Sequence, residues 1–339
     1  MKTLNPSVLP AVSAVHLAAE RLRSFLPPSR LLRSDALSEQ LGVEVLLKLE
    51  LENPTGSFKV RGAYNVLAGM QADERARGVV ASSAGNHGLG VAYAAKAFDA
   101  PAVLYVPSTA PQVKKDGIRA LGAIVNDDAP DYDAAMVLAK AHAAREGVRF
   151  INPCLGLDLL AGQGTVALEL LSQCPEMRAL YVCTGGGGLL GGVGAVLRRE
   201  APQVHVVGVQ SVETHAMSTS VRAGHVVDTV VTPTLADGLA GQIDDDALHI
   251  GQTCADALAL VTEAQIGETI VWFKRTTGLV AEGAGAVTLA ALRHGAKTTP
   301  VASTDDNAEW HKTGPIVAIV SGRNIDPSRI AQLESVYQA

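Results

Sequence analysis

Aromatic residues account for only 4% of this chain and charged residues for 18%, and cysteine occupies just four of its 339 positions. Those four, Cys154, Cys174, Cys183 and Cys254, form no CxxC pair and lack zinc-ligand spacing. They read as reduced, mostly buried thiols, not as a disulfide framework or a metal module. A basic excess is missing as well: 28 Lys+Arg against 34 Asp+Glu leave a formal net charge of -6, which provides no footprint for nucleic acid or an anionic membrane. The N-terminal segment MKTLNPSVLPAVSAVHLAAERLR opens with prolines and polar residues, and His16 and Glu20 interrupt its apolar part. It is neither a signal peptide nor a membrane span, so a soluble cytoplasmic protein is expected. Solenoid repeats and low-complexity linkers are absent too.

What the chain does have is apolar residues, 47% of the total, over a length that exceeds one compact core, so two lobes are expected. Short Val/Ile/Leu-rich runs, VEVLLKLE, GVVASS, AVLYVP, AIVNDD, VRFINP, ALYVC, VHVVGVQ and PIVAIVS, alternate with longer Ala/Leu-rich stretches of helical period. The runs are continuously apolar instead of alternating, as in parallel strands buried on both faces. An α/β protein with doubly wound parallel sheets follows. Helices are predicted over 57–70, 86–98, 112–121, 133–146, 158–173, 189–200 and 263–277, several opened by Ser, Asn or Asp and closed by Gly. The strand-helix pairs in the middle of the chain predict a small lobe, 78–151, beside a large one built from 1–77 and 152–339. The polar stretch 301–312, VASTDDNAEWHK, is given no chemistry.

The strongest glycine signal is ALYVCTGGGGLLGGVGAVL, where a strand runs into Gly185, Gly186, Gly187 and Gly188 and then a helix. Residues without Cβ let backbone N–H groups converge, and the helix N-terminus adds positive potential, so the loop suits a phosphate. A tight turn alone does not require four glycines. Leu189, Leu190 and Gly191 follow where a Walker loop needs Gly-Lys-Ser/Thr, which argues against an NTPase. A dinucleotide fold wants an acidic residue at the end of the next strand; VHVVGVQ ends in Gln210, and only Glu213 keeps a nicotinamide oxidoreductase open.

In ASSAGNHGLG a strand ends in Ser82 and Ser83, and Ala84, Gly85 and Asn86 lead into a helix. Hydroxyls and free N–H groups at one helix start suit an anion such as a carboxylate, although ordinary capping by Ser83 or Asn86 explains them equally well. His87 reads first as a helix-start packing residue. In NPTGSFKVRGA, Lys59 opens a helix beside Phe58. A desolvated ammonium there must pair, shift or react, and the plain alternative is a solvated lysine beside Arg61. AEGAGA with Glu282, SGRNID with Ser321 and AGQGT are weaker signals, each explicable as a cap or a turn.

Taken in order, PTGSFKxRGA, SAGNHG, AGQGT, GGGGLLGG, EGAGA and SGRN resemble the fold-type II pyridoxal-phosphate enzymes (tryptophan synthase beta-like), and among them the serine/threonine dehydratase and serine racemase group. The resemblance covers nearly the whole chain. It implies two doubly wound domains with pyridoxal 5'-phosphate in the cleft, the larger one binding the cofactor, and a homodimer. Lys59 would hold the cofactor through its amine and then remove the substrate Cα proton. Phe58 would lie beside the ring, Asn86 would bond the pyridoxal O3′, and Glu282 would belong to the cofactor site. Gly185, Gly186, Gly187, Gly188 and the N–H of Leu189 would hold the phosphate, and Ser83, Ala84, Gly85, Asn86 and His87 would surround the substrate carboxylate.

Ser321 would meet the pyridine nitrogen with a neutral hydroxyl. That makes the ring a weaker electron sink and favours prompt loss of a β leaving group. The racemases carry a second base where this chain has Ala84, so elimination is expected over racemisation. Gln210 and Ala216 stand where metal-binding relatives have carboxylates, so no structural magnesium or calcium is expected. INPCLGLDLL replaces the His-Pro-Phe-Asp-Asp pattern of many threonine dehydratases. No residues follow 339 for a regulatory domain, so feedback by isoleucine is not expected. The reading is a lyase that deaminates a β-hydroxy amino acid, L-threonine or L-serine. Its alternatives are 3-hydroxyaspartate or a hydroxyectoine-derived substrate, serine racemisation, a silent cofactor-binding protein and the oxidoreductase.

Overall fold

A computed structural model describes residues 4–230, 232–301 and 314–337, so the polar stretch 301–312 lies outside the described residues except for Val301. Among them, two sheets form from β1 (Leu31–Arg33), β2 (Val45–Leu49), β3 (Val79–Ser82), β4 (Ala102–Pro107), β5 (Ile124–Ala129), β6 (Arg149–Phe150), β7 (Ala179–Cys183), β8 (His205–Ser211), β9 (Ala257–Val261), β10 (Thr298–Pro300) and β11 (Ile316–Val320). The larger sheet has the order β1-β2-β11-β7-β8-β9-β10, and the smaller one β5-β4-β3-β6. Every residue of β7 and of β11 is buried, which is why these strands read as unbroken apolar runs.

The central pairings of the larger sheet are parallel, from β2 with β11 through β7 and β8 to β9. Its two edges differ. Strand β1 runs antiparallel to β2 and β10 antiparallel to β9. Both are three-residue edge strands with exposed positions, and such pieces carry no apolar period to read. Strand β6 is shorter than the run VRFINP suggests. The Asn152 side chain accepts the N–H groups of Cys154 and Leu155 at 2.8 and 2.9 Å and turns the chain after Ile151.

Because the strands are parallel, their carboxyl ends open on one side. Three neighbours in the larger sheet, β2, β11 and β7, lead respectively into the Lys59 segment, Ser321 and the glycine loop. In the smaller sheet β3 leads through Ser82 into the helix Asn86–Ala97. That helix packs against the helix Lys59–Gly69: a Cβ on Gly90 would lie 3.1 Å from the Lys59 carbonyl carbon. One apolar core runs continuously through both contacts, taking in Leu47, Val317 and Val182 of the larger sheet and Ala81 and Leu104 of the smaller.

Candidate active site

Lys59 owes its position to the turn before it and the charges behind it. Gly56 adopts φ +76°, which needs a residue without Cβ, and its N–H closes the turn on the Asn53 carbonyl at 2.7 Å. The Phe58 N–H then donates to the Ser321 carbonyl at 3.1 Å. Two residues on, Arg61 is fully buried, and its guanidinium meets Glu50 at 2.7 and 2.8 Å and Glu169 at 2.6 and 3.0 Å. Lys48 joins at 2.5 Å from Glu169, so two cations face two carboxylates inside the core. Burial opposes charge on Glu50, but Arg61 outweighs it and holds the carboxyl below its ordinary range. This cluster pins the first helical turn. Lys59 itself, half-buried, points away from it and donates to the Pro153 carbonyl at 2.7 Å, with its ammonium 5.2 Å from the Phe58 ring centre.

Pro153 and Cys154 connect the lysine to the glycine loop. A Cβ on Gly186 would stand 2.8 Å from the Cys154 sulfur, one on Gly188 2.9 Å from the Cys154 carbonyl, and one on Gly185 2.9 Å from Leu239 Cα. Gly187 takes φ +86° as the residue preceding the helix Gly188–Glu200. Side chains are therefore excluded on steric grounds at three positions and on conformational grounds at the fourth. What remains is main chain at the start of a 13-residue helix, whose first N–H groups, Leu189 included, have no partner within the helix. The loop fits a phosphate.

The other predicted residues converge from two more directions. Ser321, buried at the end of β11, donates its hydroxyl to the Ala284 carbonyl at 3.3 Å. Cys183 lies close enough to hydrogen-bond it, and burial pushes that thiol up to about 11. Asn86 donates through Nδ2 to Glu282 Oε1 at 2.5 Å and accepts at Oδ1 from Asn324 at 2.6 Å. Burial, with Asp237 nearby, raises Glu282 to about 7. Ser83, Ala84 and Gly85 are partly exposed, with the Ser83 hydroxyl accepting the Gly85 N–H at 3.1 Å. His87 turns away into the core: its Nε2–H donates to the Ile151 carbonyl at 3.0 Å, and burial and Lys59 push it down to about 3, so the ring is neutral. Its ring lies buried behind the Ser83–Asn86 loop.

AGQGT acts from behind. A Cβ on Gly162 would stand 2.6 Å from the Arg61 carbonyl, and Thr165 accepts from Arg61 at 3.1 Å. Gln210 spends its amide on the turn that follows β8, donating to the Thr214 carbonyl at 2.5 Å and accepting from the Ser218 N–H at 2.8 Å and hydroxyl at 2.7 Å. Glu213 accepts from the Thr232 hydroxyl. Residue reading missed Asn324, the Pro153 carbonyl, Asp237 and the Glu50–Glu169–Lys48 cluster; only SGRN contained a hint, for Asn324.

The site thus contains an amine, a phosphate cradle without side chains and a buried hydroxyl at one sheet end, and this set fits pyridoxal phosphate. The family described as "Pyridoxal-phosphate dependent enzyme" matches residues 22–307. An L-threonine ammonia-lyase of Thermotoga maritima is 36% identical over 317 residues, covering 93% of this chain and 76% of that protein. Maize serine racemase superposes with a TM-score of 0.87 at 26% identity, covering 97% of this chain and 98% of that one. Threonine deaminase isoform 2 of Solanum lycopersicum gives 0.84 at 27% identity, covering 100% and 94%. The chain belongs to the pyridoxal-phosphate dependent enzymes, with the fold-type II architecture and pyridoxal 5'-phosphate as its cofactor.

Proposed function

We propose that this protein is a lyase that removes the hydroxyl and amino groups of a β-hydroxy amino acid, L-threonine or L-serine, releasing a 2-oxo acid and ammonia. The observation that carries the reading is the meeting of the Lys59 amine, the glycine loop and the Ser321 hydroxyl at the ends of three adjacent strands. Bound pyridoxal phosphate supplies an electron-withdrawing ring that stabilises negative charge at the substrate Cα. Lys59 would hold the cofactor through its amine, and that amine is placed to act as the base toward the substrate Cα proton. Gly185 to Gly188 and the Leu189 N–H would hold the phosphate, Phe58 would flank the ring, and Asn86, backed by Glu282, would serve its phenolic oxygen. Ser83, Ala84, Gly85 and Asn86 take the substrate carboxylate, with neutral His87 supporting them from the core.

Ser321 would offer the pyridine nitrogen a hydroxyl and no charge, which would favour loss of the β substituent over long-lived charge on the ring. Ala84 cannot carry a proton, so the face opposite Lys59 lacks a base and elimination is favoured over racemisation. Residues 152–156, Asn-Pro-Cys-Leu-Gly, lie between the Lys59 amine and the glycine loop and contain no charged group, which supports a methyl or hydrogen on the substrate over the second carboxylate of 3-hydroxyaspartate. The two sheets are read as lobes, 78–151 against 1–77 with 152–339, and the assembly as a homodimer. A reducing cytoplasm agrees with four free cysteines.

The test is a screen of the purified protein for ammonia and 2-oxo acid release from β-hydroxy amino acids, with D-serine formation followed in parallel and mass measured by light scattering. L-threonine or L-serine turnover is expected. Cofactor binding without turnover of any of them would identify a silent binding protein instead, and a colourless protein that holds NAD tightly would identify an oxidoreductase.

A further inference from the structure

We infer that Asn324 and Glu282 are positioning residues that clamp the Asn86 amide so that its nitrogen, and not its oxygen, is presented to the phenolic oxygen of the cofactor. The inference rests on the proposed contact between Asn86 and that oxygen. The Thr55 carbonyl can only accept, and Asn324 Nδ2 lies 2.8 Å from it, so Asn324 must present nitrogen there. The same nitrogen lies 2.6 Å from Asn86, where the partner must therefore be an acceptor, Oδ1. With its oxygen so placed, Asn86 turns Nδ2 to Glu282, whose Oε1 accepts at 2.5 Å. One N–H of the Asn86 amide is committed to Glu282, and the second is engaged by no described residue. A donor is what remains on offer.

The clamp is anchored on both sides. Asn324 follows β11, where the Arg323 N–H donates to the Gly56 carbonyl at 2.9 Å, and Glu282 donates its own N–H to the Gly322 carbonyl at 3.0 Å. Gly322 makes room: a Cβ there would fall 2.1 Å from Glu282 Oε1 and 3.2 Å from Asn86 Nδ2. The titratable and charged groups facing Glu282 are Asp237, in the turn Asp237–Leu239, Lys114, on the helix Gln112–Ala120, and the Cys183 thiol at the end of β7, while the Asn324 N–H also reaches its carboxyl. Burial and Asp237 raise its carboxyl to about 7, so around that pH it accepts the Asn86 N–H while carrying less than a full negative charge. An inverted Asn86 would set oxygen against oxygen and favour the protonated phenol.

The experiment compares wild-type holoprotein with Asn86→Ala, Asn324→Asp, Asn324→Ala, Glu282→Ala and Glu282→Gln. Its readouts are the pH midpoint of the visible cofactor band, cofactor affinity by fluorescence titration, and circular dichroism as a check on folding. A carboxylate at 324 cannot donate to Thr55 or to Asn86 Oδ1, so Asn324→Asp should raise the midpoint by about one pH unit, in the direction set by Asn86→Ala, and weaken cofactor binding about 10-fold. Asn324→Ala and Glu282→Ala should move it the same way. Glu282→Gln retains an acceptor and should stay near wild type. If Asn324→Asp does not fold, the two alanine variants decide, and wild-type midpoints in both overturn the clamp. So does a wild-type midpoint in a folded Asn324→Asp protein when Asn86→Ala shifts. An unchanged Asn86→Ala spectrum overturns the contact and the clamp together, whereas a wild-type protein with no visible band overturns the proposed function itself.

Discussion

The Phe58 N–H is bonded to the Ser321 carbonyl at 3.1 Å, so the residue before the lysine and the hydroxyl assigned to the pyridine nitrogen share one main-chain link. Lys59 is placed by that link and by Arg61, while its own side chain is only half-buried and adds little to the core. Lys59→Ala should therefore fold normally, lose the visible cofactor band and lose about 10³-fold or more in ammonia release. Absorbance and a coupled ammonia assay on one preparation check this, and retained turnover would remove Lys59 from its role.

Glu282 predicts a pH dependence of stability. Burial raises its folded pKa from an ordinary 4.5 to about 7, so the folded protein holds the proton more tightly than the unfolded chain. Its favourable share is fully present below 4.5 and is lost as pH rises through about 7. Glu282→Gln stays neutral throughout, so its stability relative to wild type should improve across that window by roughly 3 kcal/mol. Urea titrations on either side of the window measure the difference, and one independent of pH would contradict the burial argument.

The glycine loop separates two kinds of crowding. Gly186→Ala meets the Cys154 side chain, and cofactor affinity should drop about 10-fold, corresponding to roughly 1.4 kcal/mol. Cys154→Gly should restore most of it. Gly188→Ala meets the Cys154 main-chain carbonyl, which no side-chain change removes, so the same second substitution should not rescue it. Equal rescue of both would show that the cradle is set by something other than these contacts.

The buried cluster sets stability. Glu50→Ala leaves Arg61 with one carboxylate partner in place of two and should cost about 3 kcal/mol or more by denaturant unfolding. The Glu50 carboxyl lies below its ordinary range when folded, so its contribution is present above that range and lost as pH falls through the folded value. Glu50→Gln should accordingly narrow its deficit relative to wild type in acid. A deficit that persists unchanged into acid would assign it to packing.

The turn after β8 is tied by a neutral amide, with Gln210 bonding Thr214 and Ser218. Dialysis against a chelator should leave activity and melting temperature unchanged, while Gln210→Glu, which sets a carboxylate against the Thr214 carbonyl, should lower the melting temperature. Loss of activity on chelation would contradict the expectation of no structural cation.

Much of the architecture was legible because burial on both faces leaves a plain mark. The runs ALYVC and AVLYVP coincide with β7 and β4 to the residue. Strand β9, ALALV, was not: its alternating alanines and leucines suit a helix as well as a strand, and only its place beside β8 decides. The edge strands β1 and β10 are created by their partners. The motifs announced Lys59, the glycine loop, Asn86 and Ser321, since each needs a particular residue type at a turn or helix start.

By itself the sequence determined which groups the protein brings: an amine after a Pro-Thr-Gly turn, four glycines before a helix, a hydroxyl closing the last strand and alanine at residue 84. Those are local facts, written in residue type and spacing. Which way the Asn86 amide is turned between Glu282 and Asn324, why Arg61 must sit between Glu50 and Glu169, and why residue 322 has no room for a Cβ were decided by tertiary structure alone. Each depends on distances between segments far apart in the chain, and a hydrogen bond or a clash exists only once folding has set those distances.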